Sequence, residues 1–392
     1  MSLFAVLKRR AVLGLAVAAG VALAACEPVS ISKPASGGGG GGGGGDTVRV
    51  ALLVSSGTGD PIDDAIARSM ENAARLAIAD LGASNIELKV YVAGASTSTG
   101  SAAATKAANE GADIILGPLY GEASNAAAVA VRSKGINVLS FSNNNTIAGG
   151  NLFILGTTFD SIAARLTRYA AGHGKRKIFV VNANSPAEQI GAQAIQRAIA
   201  GSSASLAGTS SFELSQNGIV QAVPGIVAKI KASGADAVFF TSTTDGAMPL
   251  LADLLPANGV KPSQTQFIGL QRWDVPPTAP ALPGLQGGWF AAPDPALAAQ
   301  FRARYAAAYG SDPHPLASLA YDGIAAIGAT AKAGKPMTSA ALTQGSGFAG
   351  VNGIFRLRGD GTNDRALAVM QIVNGTVRLL EPAPRSFGQA GF

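Results

Sequence analysis

Short apolar runs alternate with longer amphipathic stretches along the chain after residue 46. Residues 47–54 and 114–116 are apolar runs bounded by turn residues, which is typical of strands buried on both faces. Residues 86–92 alternate apolar and polar positions, as a half-exposed strand does. The stretches between these runs are rich in alanine and have helical spacing. This alternation predicts an α/β protein with sheets of mainly parallel strands.

One strand exit, at residues 111–122, is the most informative about function. Gly111 ends a helix, residues 114–116 form the strand, and Gly117-Pro118 opens a loop that leads into an alanine-rich helix. Open parallel sheets bind ligands at the carboxyl ends of strands, over helix N-termini, so residues 119–122 are expected to line a cleft. Residues 234–241 repeat the pattern, which predicts two similar lobes facing one cleft.

The same pattern predicts the remaining elements. Helices are expected at 61–82, 98–110, 121–134, 160–172, 186–200, 219–233, 248–255, 295–309 and 316–333. Further strands are expected at 136–141, 177–181, 205–214, 235–241 and 265–270. Residues 353–380 read as strands separated by Gly359-Asp360-Gly361 and by the hairpin signal Asn374-Gly375.

Local signals indicate where two of these helices begin. Asp60 and Pro61 have the pattern of an N-cap and a first-turn proline. Ser185 and Glu188, on either side of Pro186, have the pattern of a capping box. Five apolar positions are expected on the inner face of the first helix: Ile62, Ile66, Ala73, Ala77 and Leu81.

The first 25 residues have the pattern of a targeting signal. Lys8, Arg9 and Arg10 precede an apolar stretch that is too short to span a bilayer comfortably. The stretch ends in Leu23-Ala24-Ala25-Cys26, which resembles the lipobox of bacterial lipoproteins. That resemblance implies cleavage before Cys26 and a lipid on its sulfur. Glu27 follows where an inner-membrane retention signal would have Asp, so the resemblance implies the periplasmic face of the outer membrane.

A flexible linker is expected after the anchor, because Gly37 to Gly45 are nine consecutive glycines. Such a run does not recover its backbone entropy by packing, and the whole linker of about 20 residues, from Glu27 to Asp46, spans roughly 25 Å. About 346 residues follow, which suits two lobes better than one core.

Charge and composition exclude several classes of function. Removal of three cations with the signal lowers the formal charge from +6 to about +3, and no basic cluster stands out, so nucleic-acid binding is not supported.

Cys26 is the only cysteine, so no internal disulfide is expected. His173 and His314 are the only histidines, and no carboxylate cluster has metal-ligand spacing. Residues 345–350 match a dinucleotide fingerprint literally, but they precede a strand rather than a helix. We therefore expect no enzyme activity, no metal and no cofactor.

The expected cleft is lined by residues that follow the predicted strands. Each of them alone is more often a turn or cap residue, whereas together they predict a polar crevice with two sides. Trp273 could be an apolar wall of the crevice or a packing residue. The candidates are Ser55, Ser56, Tyr120, Gly121, Glu122, Ser142, Asn143, Asn144, Asn182, Ser185, Thr241, Asp245, Gln271 and Trp273.

The order of these elements resembles the leucine-binding protein family, which has the two-lobed type I periplasmic binding protein fold. The resemblance is carried by residues 112–119, by residues 305–310 with Tyr321-Asp322, and by residues 348–353 with Asn374-Gly375. It implies a parallel-rich sheet flanked by helices in each lobe, and several crossings between the lobes.

The resemblance also implies a division of the chain. The expected segments are a signal peptide (1–25), a lipidated cysteine and linker (26–46), a first lobe (47–155 and 290–345), a second lobe (156–289 and 346–381) and a tail (382–392).

The chain departs from the family's amino-acid binders at two positions of the pocket. Those binders carry adjacent hydroxyl residues after the third strand to hold the ligand carboxylate, whereas this chain has Tyr120-Gly121-Glu122. A glutamate at that place would repel a carboxylate. They also carry Tyr-Gly at the first helix of the second lobe, where this chain has Ser185-Pro186.

The anchor, the linker and the altered pocket resemble the penicillin-binding protein activator branch of this fold. The resemblance implies a non-enzymatic lipoprotein that stimulates peptidoglycan-synthesising penicillin-binding proteins through a protein contact. The alternative is a substrate-binding lipoprotein of an ABC importer for amino acids or related small molecules, which would close its lobes around a ligand.

Overall fold

The computed structural model describes residues 47–82 and 85–388. The predicted signal peptide, Cys26 and the linker lie outside the described residues, as do residues 389–392 of the predicted tail. Among the described residues, no helix is both long and apolar enough to cross a bilayer.

The first lobe is built on a sheet of five parallel strands in the order β2-β1-β3-β4-β5. Its central strands are buried on both faces, which explains their uninterrupted apolar runs. Helices connect β1 to β2, β2 to β3 and β3 to β4, whereas a loop over residues 141–151 connects β4 to β5. The elements are β1 (Val48–Val54), α1 (Pro61–Leu81), β2 (Ile86–Val92), α2 (Thr97–Asn109), β3 (Ile114–Leu116), α3 (Gly121–Val131), β4 (Asn137–Ser140) and β5 (Leu152–Ile154).

The second lobe repeats this architecture and ends in a hairpin. Its elements are α4 (Phe159–Gly172), β6 (Lys177–Ala183), α5 (Pro186–Ala200), β7 (Ser205–Phe212), α6 (Gln216–Ser233), β8 (Ala237–Phe240), α7 (Met248–Ala257), β9 (Gln266–Gly269) and β10 (Trp289–Ala292). Strands β14 (Ala368–Val373) and β15 (Thr376–Glu381) join β10 in antiparallel pairing and complete a sheet in the order β15-β14-β10-β9-β8-β6-β7.

The remaining elements return to the first lobe. They are α8 (Pro295–Tyr309), α9 (Ala317–Lys332), α10 (Ser339–Leu342) and a three-stranded antiparallel sheet of β11 (Phe348–Gly350), β12 (Gly353–Leu357) and β13 (Asn363–Arg365). Phe348, Phe355 and Leu357 of this small sheet belong to the same buried cluster as Leu52 of β1 and Ile324 of α9. The small sheet therefore packs on the core of the first lobe.

The two-lobed α/β fold predicted from the sequence is confirmed, and so are its main local signals. Asp60 caps α1 by accepting a hydrogen bond from the Ile62 amide, and Gly82 ends that helix with a φ of 58°. Asn374 and Gly375 have φ values of 52° and 72°, which a two-residue hairpin turn requires.

Some sequence expectations are wrong in detail. Ile62 and Leu81 are expected on the inner face of α1, but both are exposed, because they lie in the first and last turns of the helix. The first lobe was expected to resume at residue 290, whereas residues 289–292 are β10 of the second sheet.

The division near the carboxyl terminus also differs from the expectation. Residues 346–365 are expected in the second lobe, yet Phe348, Val351, Phe355 and Leu357 belong to the first core, while Ile354 packs against the second. The predicted tail begins with packed residues, since Ala383 is buried in the second-lobe core and the Phe387 ring lies 4.5 Å from the Arg356 guanidinium.

The chain crosses between the lobes three times, after β5, after β10 and between β13 and β14. The first crossing joins the carboxyl end of β5 to the amino end of α4. Because α4 runs back along the second sheet before β6 begins, its amino end lies at the carboxyl edge of that sheet. The carboxyl edges of the two sheets therefore face each other across the crossings.

Hydrogen bonds around one buried ion pair involve all three crossings. The Asp322 carboxylate on α9 accepts a 2.7 Å hydrogen bond from Arg365 at the end of β13, and both side chains are almost fully buried. Arg365 Nε also donates to the Leu155 carbonyl in the first crossing, at 2.6 Å. Asp322 further accepts from the Asn352 amide side chain, and the Asn352 carbonyl accepts from the Asp294 amide in the second crossing.

We predict that Asp322→Ala lowers the free energy of unfolding by about 3–5 kcal/mol, because it leaves the Arg365 guanidinium buried without its counter-charge. Denaturant unfolding of the variant measures this loss. Glu71→Ala is the matched control, because it breaks the exposed Arg75–Glu71 pair on α1 and should cost at most about 1 kcal/mol. Equal losses for the two variants would contradict a central role for the buried pair.

Candidate functional site: the cleft between the lobes

The cleft edges are formed by the loops that follow the parallel strands. In the first lobe the loops after β1, β3 and β4 carry the predicted residues, and in the second lobe the loops after β6, β8 and β9 carry them. Parallel strands end at the same edge, so each lobe presents its polar side chains on one side. The sheet order, rather than any local signal, makes these distant loops neighbours.

Tyr120 is held on the first lobe by a carboxylate. Its hydroxyl donates a 2.6 Å hydrogen bond to Asp63 Oδ1, while Thr58 Oγ1 donates to Asp63 Oδ2 at 2.8 Å. Asp63 is buried in the first turn of α1. The hydrogen bond to Asp63, together with burial, raises the pKa of Tyr120 to about 12. Tyr120 is therefore a neutral hydrogen-bond donor, and its hydroxyl already donates to Asp63 within its own lobe.

The loops after β3 and β4 meet at Gly121. A Cβ placed on Gly121 would lie 3.6 Å from Asn144 Nδ2 and 3.7 Å from Ser142 Oγ, so these three predicted residues are close together. Ser142 Oγ accepts from the Asn144 amide, and the Asn144 side chain caps the turn at Thr146. Both side chains therefore organise their own loop.

The other predicted residues of the first lobe differ in exposure. Glu122 and Asn143 are exposed, and Ser56 is half-buried. Ser55 is buried, and its hydroxyl has no hydrogen-bond partner within the described part of the chain.

Glu188 is the centre of the second-lobe edge. Its Oε2 accepts from the Ala183 amide at 2.6 Å, from Thr241 Oγ1 at 2.8 Å and from Ser242 Oγ at 2.9 Å. Ser185 caps α5 by accepting from the Glu188 amide at 3.4 Å, as expected. The reciprocal half of the predicted capping box is wrong, because the Glu188 carboxylate turns to β6 and β8 instead.

The remaining second-lobe candidates do not converge on one point. Asn182 is buried and donates to the Ala183 carbonyl, whereas Asp245 is exposed and Gln271 half-buried. Trp273 is fully buried in the second-lobe core rather than a wall of the cleft. Its ring fills the space beside two strand-end glycines, since a Cβ on Gly269 or Gly288 would lie 2.3 Å from it.

One contact between the lobes was not anticipated from the sequence. Asn145 Nδ2, in the loop after β4, donates to Asp160 Oδ2 on α4 at 2.9 Å. Asp160 also accepts from Arg197 on α5, at 2.7 Å. Asn145 follows the predicted Asn143 and Asn144 directly, so the polar run was visible, but nothing local indicated its partner on the other lobe.

The two histidines have structural contacts. The His173 ring stacks on Tyr169 with centroids 4.0 Å apart, and its Nδ1 lies 2.8 Å from the Tyr169 carbonyl. His314 Nδ1 accepts from the Leu316 amide, and burial lowers the pKa of its ring. In residues 47–82 and 85–388 there is no group of three side chains able to hold a metal ion. The cleft thus combines hydroxyl, amide and carboxylate groups, which suit binding by hydrogen bonds and charge.

A protein family and several solved structures share this fold. A family model described as periplasmic binding protein matches residues 47–376. None of the curated proteins matches this sequence.

Solved structures share the fold at low sequence identity. A protein from Rhodospirillum rubrum assigned to branched-chain amino acid ABC transport is 19% identical, has a TM-score of 0.70, and is matched over 86% of this chain and 100% of its own. An ABC transporter substrate-binding protein from Desulfitobacterium hafniense, in complex with Leu, is 17% identical with a TM-score of 0.63, over 85% of this chain and 99% of its own.

A third solved structure has a different ligand. A solute-binding protein of an ABC transporter from Rhodopseudomonas palustris BisB5, in complex with 3,4-dihydroxybenzoic acid, is 17% identical with a TM-score of 0.59, over 87% of this chain and 97% of its own. At these identities the likeness concerns the fold alone, and the ligands differ between the similar proteins.

We predict that Tyr120 ionises near pH 12 in the folded protein, about two units above an ordinary tyrosine. The neutral phenol is the favoured form, so its stabilising contribution is complete below about pH 10 and is lost as the pH rises toward about 12. The difference in tyrosinate absorbance between the wild type and Tyr120→Phe isolates this group from Tyr91 and Tyr321, whose pKa values are also raised to about 12. Asp63→Asn should move the titration back toward pH 10, and a wild-type midpoint near 10 would contradict the Asp63 contact.

Proposed function

This chain belongs to the periplasmic binding protein family, and from that premise we propose that it is a lipid-anchored, non-catalytic regulator of peptidoglycan-synthesising penicillin-binding proteins. In this role a lobe surface contacts the synthase, and the relative position of the lobes controls the contact. The family, the two lobes and the three crossings support a binding protein with a cleft for a small ligand. The penicillin-binding protein partner and the lipid anchor go beyond what the family implies and belong to the proposal.

Several polar groups at the cleft edge already have hydrogen-bond partners, and this observation favours a regulator over an amino-acid carrier. Tyr120 donates to Asp63 within the first lobe, and Glu188 accepts from Ala183, Thr241 and Ser242 within the second. An α-amino acid needs donors for its carboxylate. Glu122 stands exposed at the amino end of α3, where such a carboxylate would meet a like charge.

A substrate-binding lipoprotein of an ABC importer is the second candidate. It is supported by similar solved structures that are matched over nearly their whole length and are named as ABC transporter proteins. Here the ligand would select the closed arrangement of the lobes by binding it more tightly than the open one. The ligand would be an amino acid or a related small molecule.

We predict that the full-length protein remains with the membrane fraction of its host and that replacing residues 1–26 by a cleavable signal peptide without a lipobox moves it to the soluble periplasmic fraction. The reason is that lipid on the Cys26 sulfur is the expected anchor. Fractionation followed by immunodetection measures the difference. Equal membrane retention of the two proteins would contradict the lipid anchor, while leaving the binding role untouched.

We predict that the full-length protein in detergent retains a class A penicillin-binding protein from its host and increases the rate of glycan polymerisation. Pull-down and a polymerisation assay measure the two effects. Absence of both would contradict the regulator role.

A thermal-shift screen with amino acids separates the two candidates. A ligand at about 100 times its Kd adds about 2.7 kcal/mol to stability, enough to raise Tm by a few degrees. A shift with a single amino acid, together with no synthase contact, would favour the importer.

A further inference from the structure

Exposed apolar side chains lie on both facing edges of the cleft. Ile62, Val92 and Tyr120 stand at the carboxyl edge of the first sheet, and Leu214 and Val275 at that of the second. Four of these residues are at least half exposed, with fractions of 65% for Ile62, 62% for Val92, 53% for Leu214 and 50% for Val275. Exposed apolar side chains on facing surfaces, with polar groups around them, can contribute to a binding site.

The first-lobe edge adds negative charge to this apolar surface. Between the end of each strand β1 to β3 and the fourth residue of the helix that follows, the sequence has four carboxylates and no lysine or arginine. The carboxylates are Asp60, Asp63, Asp64 and Glu122.

The second-lobe edge has the same sign. The corresponding segments after β6, β7 and β8, together with residues 270–278 after β9, contain the carboxylates Glu188, Glu213, Asp245 and Asp274. Arg272 is the one cation in those segments, and its Nε donates to Asp274 at 2.8 Å. Facing walls of one sign concentrate their field in the cleft and attract ligands of the opposite sign.

The spacing of the apolar residues sets the length of the ligand. On the first lobe they follow the adjacent strands β2, β1 and β3, which at about 4.8 Å per strand spans about 10 Å. On the second lobe Leu214 follows β7 and Val275 follows β9, four strands that span about 14 Å. An extended peptide covers about 3.4 Å per residue, so these distances correspond to three or four residues. A single amino acid would reach only part of either surface.

We propose that the cleft binds a short cationic peptide of three or four residues that carries both basic and apolar side chains. This inference rests on the proposed binding role of the cleft and names its ligand class. The apolar side chains of the peptide lie against Ile62, Val92 and Val275, and its ammonium or guanidinium groups face Glu122 and Asp245. The paired groups around Asp63 and Glu188 keep the two edges rigid and negative.

The experiment is isothermal titration calorimetry of the full-length protein in a non-ionic detergent. The probe is an amidated Leu-Lys-Leu-Lys peptide, compared with acetylated Leu-Glu-Leu-Glu, free leucine and free lysine. We expect the cationic peptide to bind and the other three ligands to bind at least about tenfold more weakly. We also expect its affinity to fall when the salt is raised from about 0.01 M to 0.15 M, because the screening length shortens from about 30 Å to about 8 Å.

Two pairs of variants test the residues. Glu122→Gln with Asp245→Asn should weaken binding about tenfold, and Ile62→Ser about fivefold. All three positions are exposed, so folding is preserved. Glu87→Gln with Asp253→Asn removes the same charge from exposed positions away from the edges, and Leu379→Ser removes an exposed apolar group of the second lobe. These controls should leave the affinity unchanged.

Three outcomes would overturn the inference. They are equal binding of the acidic peptide, equal effects of the edge variants and their controls, and binding of free leucine in preference to the peptide. The synthase pull-down is independent of all three. Retention of the synthase without peptide binding would overturn the ligand class alone, whereas peptide binding without the synthase contact would support the ligand class and contradict the regulator role.

Discussion

The buried pair of Asp322 and Arg365 is the interaction on which the arrangement of the lobes depends. Two charges removed from water are stable only when each finds enough partners, and here the partners come from the crossings themselves. Asp322 accepts from the Val351 amide, the Asn352 side chain and Arg365, while Arg365 also donates to Leu155. The backbone at Gly350 must come close to the carboxylate, because a Cβ there would lie 2.1 Å from Asp322 Oδ1. The pair therefore holds α9, the small sheet and the first crossing in one position.

Because the pair lies at the crossings and not at the cleft edges, the edges are available for recognition. Most polar side chains at the edges form hydrogen bonds within their own lobe, so they stabilise the loops rather than bind a ligand. The Asn145–Asp160 hydrogen bond is a direct polar link between the edges, and Arg197 holds its acceptor. What remains at the surface is apolar area and unbalanced negative charge. Those two properties are the basis of the proposed peptide ligand.

Much of the fold follows from local chemistry that is visible in the sequence. Buried parallel strands are largely apolar, and capping or turn residues such as Asp60, Ser185 and Asn374 act over two or three positions. Element types and the two-lobed class could therefore be predicted. The burial of Trp273 and the exposure of Ile62 and Leu81 could not, because they depend on what lies across from each residue. The same limit explains why β10 and the small sheet were assigned to the wrong lobes.

The sequence by itself determined the alternation of strands and helices, the residue types at the strand exits, and the lack of histidine and cysteine clusters for catalysis. Tertiary structure alone decided which of those residues meet. Asp63 and Tyr120 are separated by 57 positions, and Asp322 and Arg365 by 43, yet each pair shares one hydrogen bond. Sheet order and the crossings bring them together, and both arise from packing over the whole chain. Periodicity shows which face of an element is buried, but the partner of a polar group depends on contacts between elements far apart in sequence.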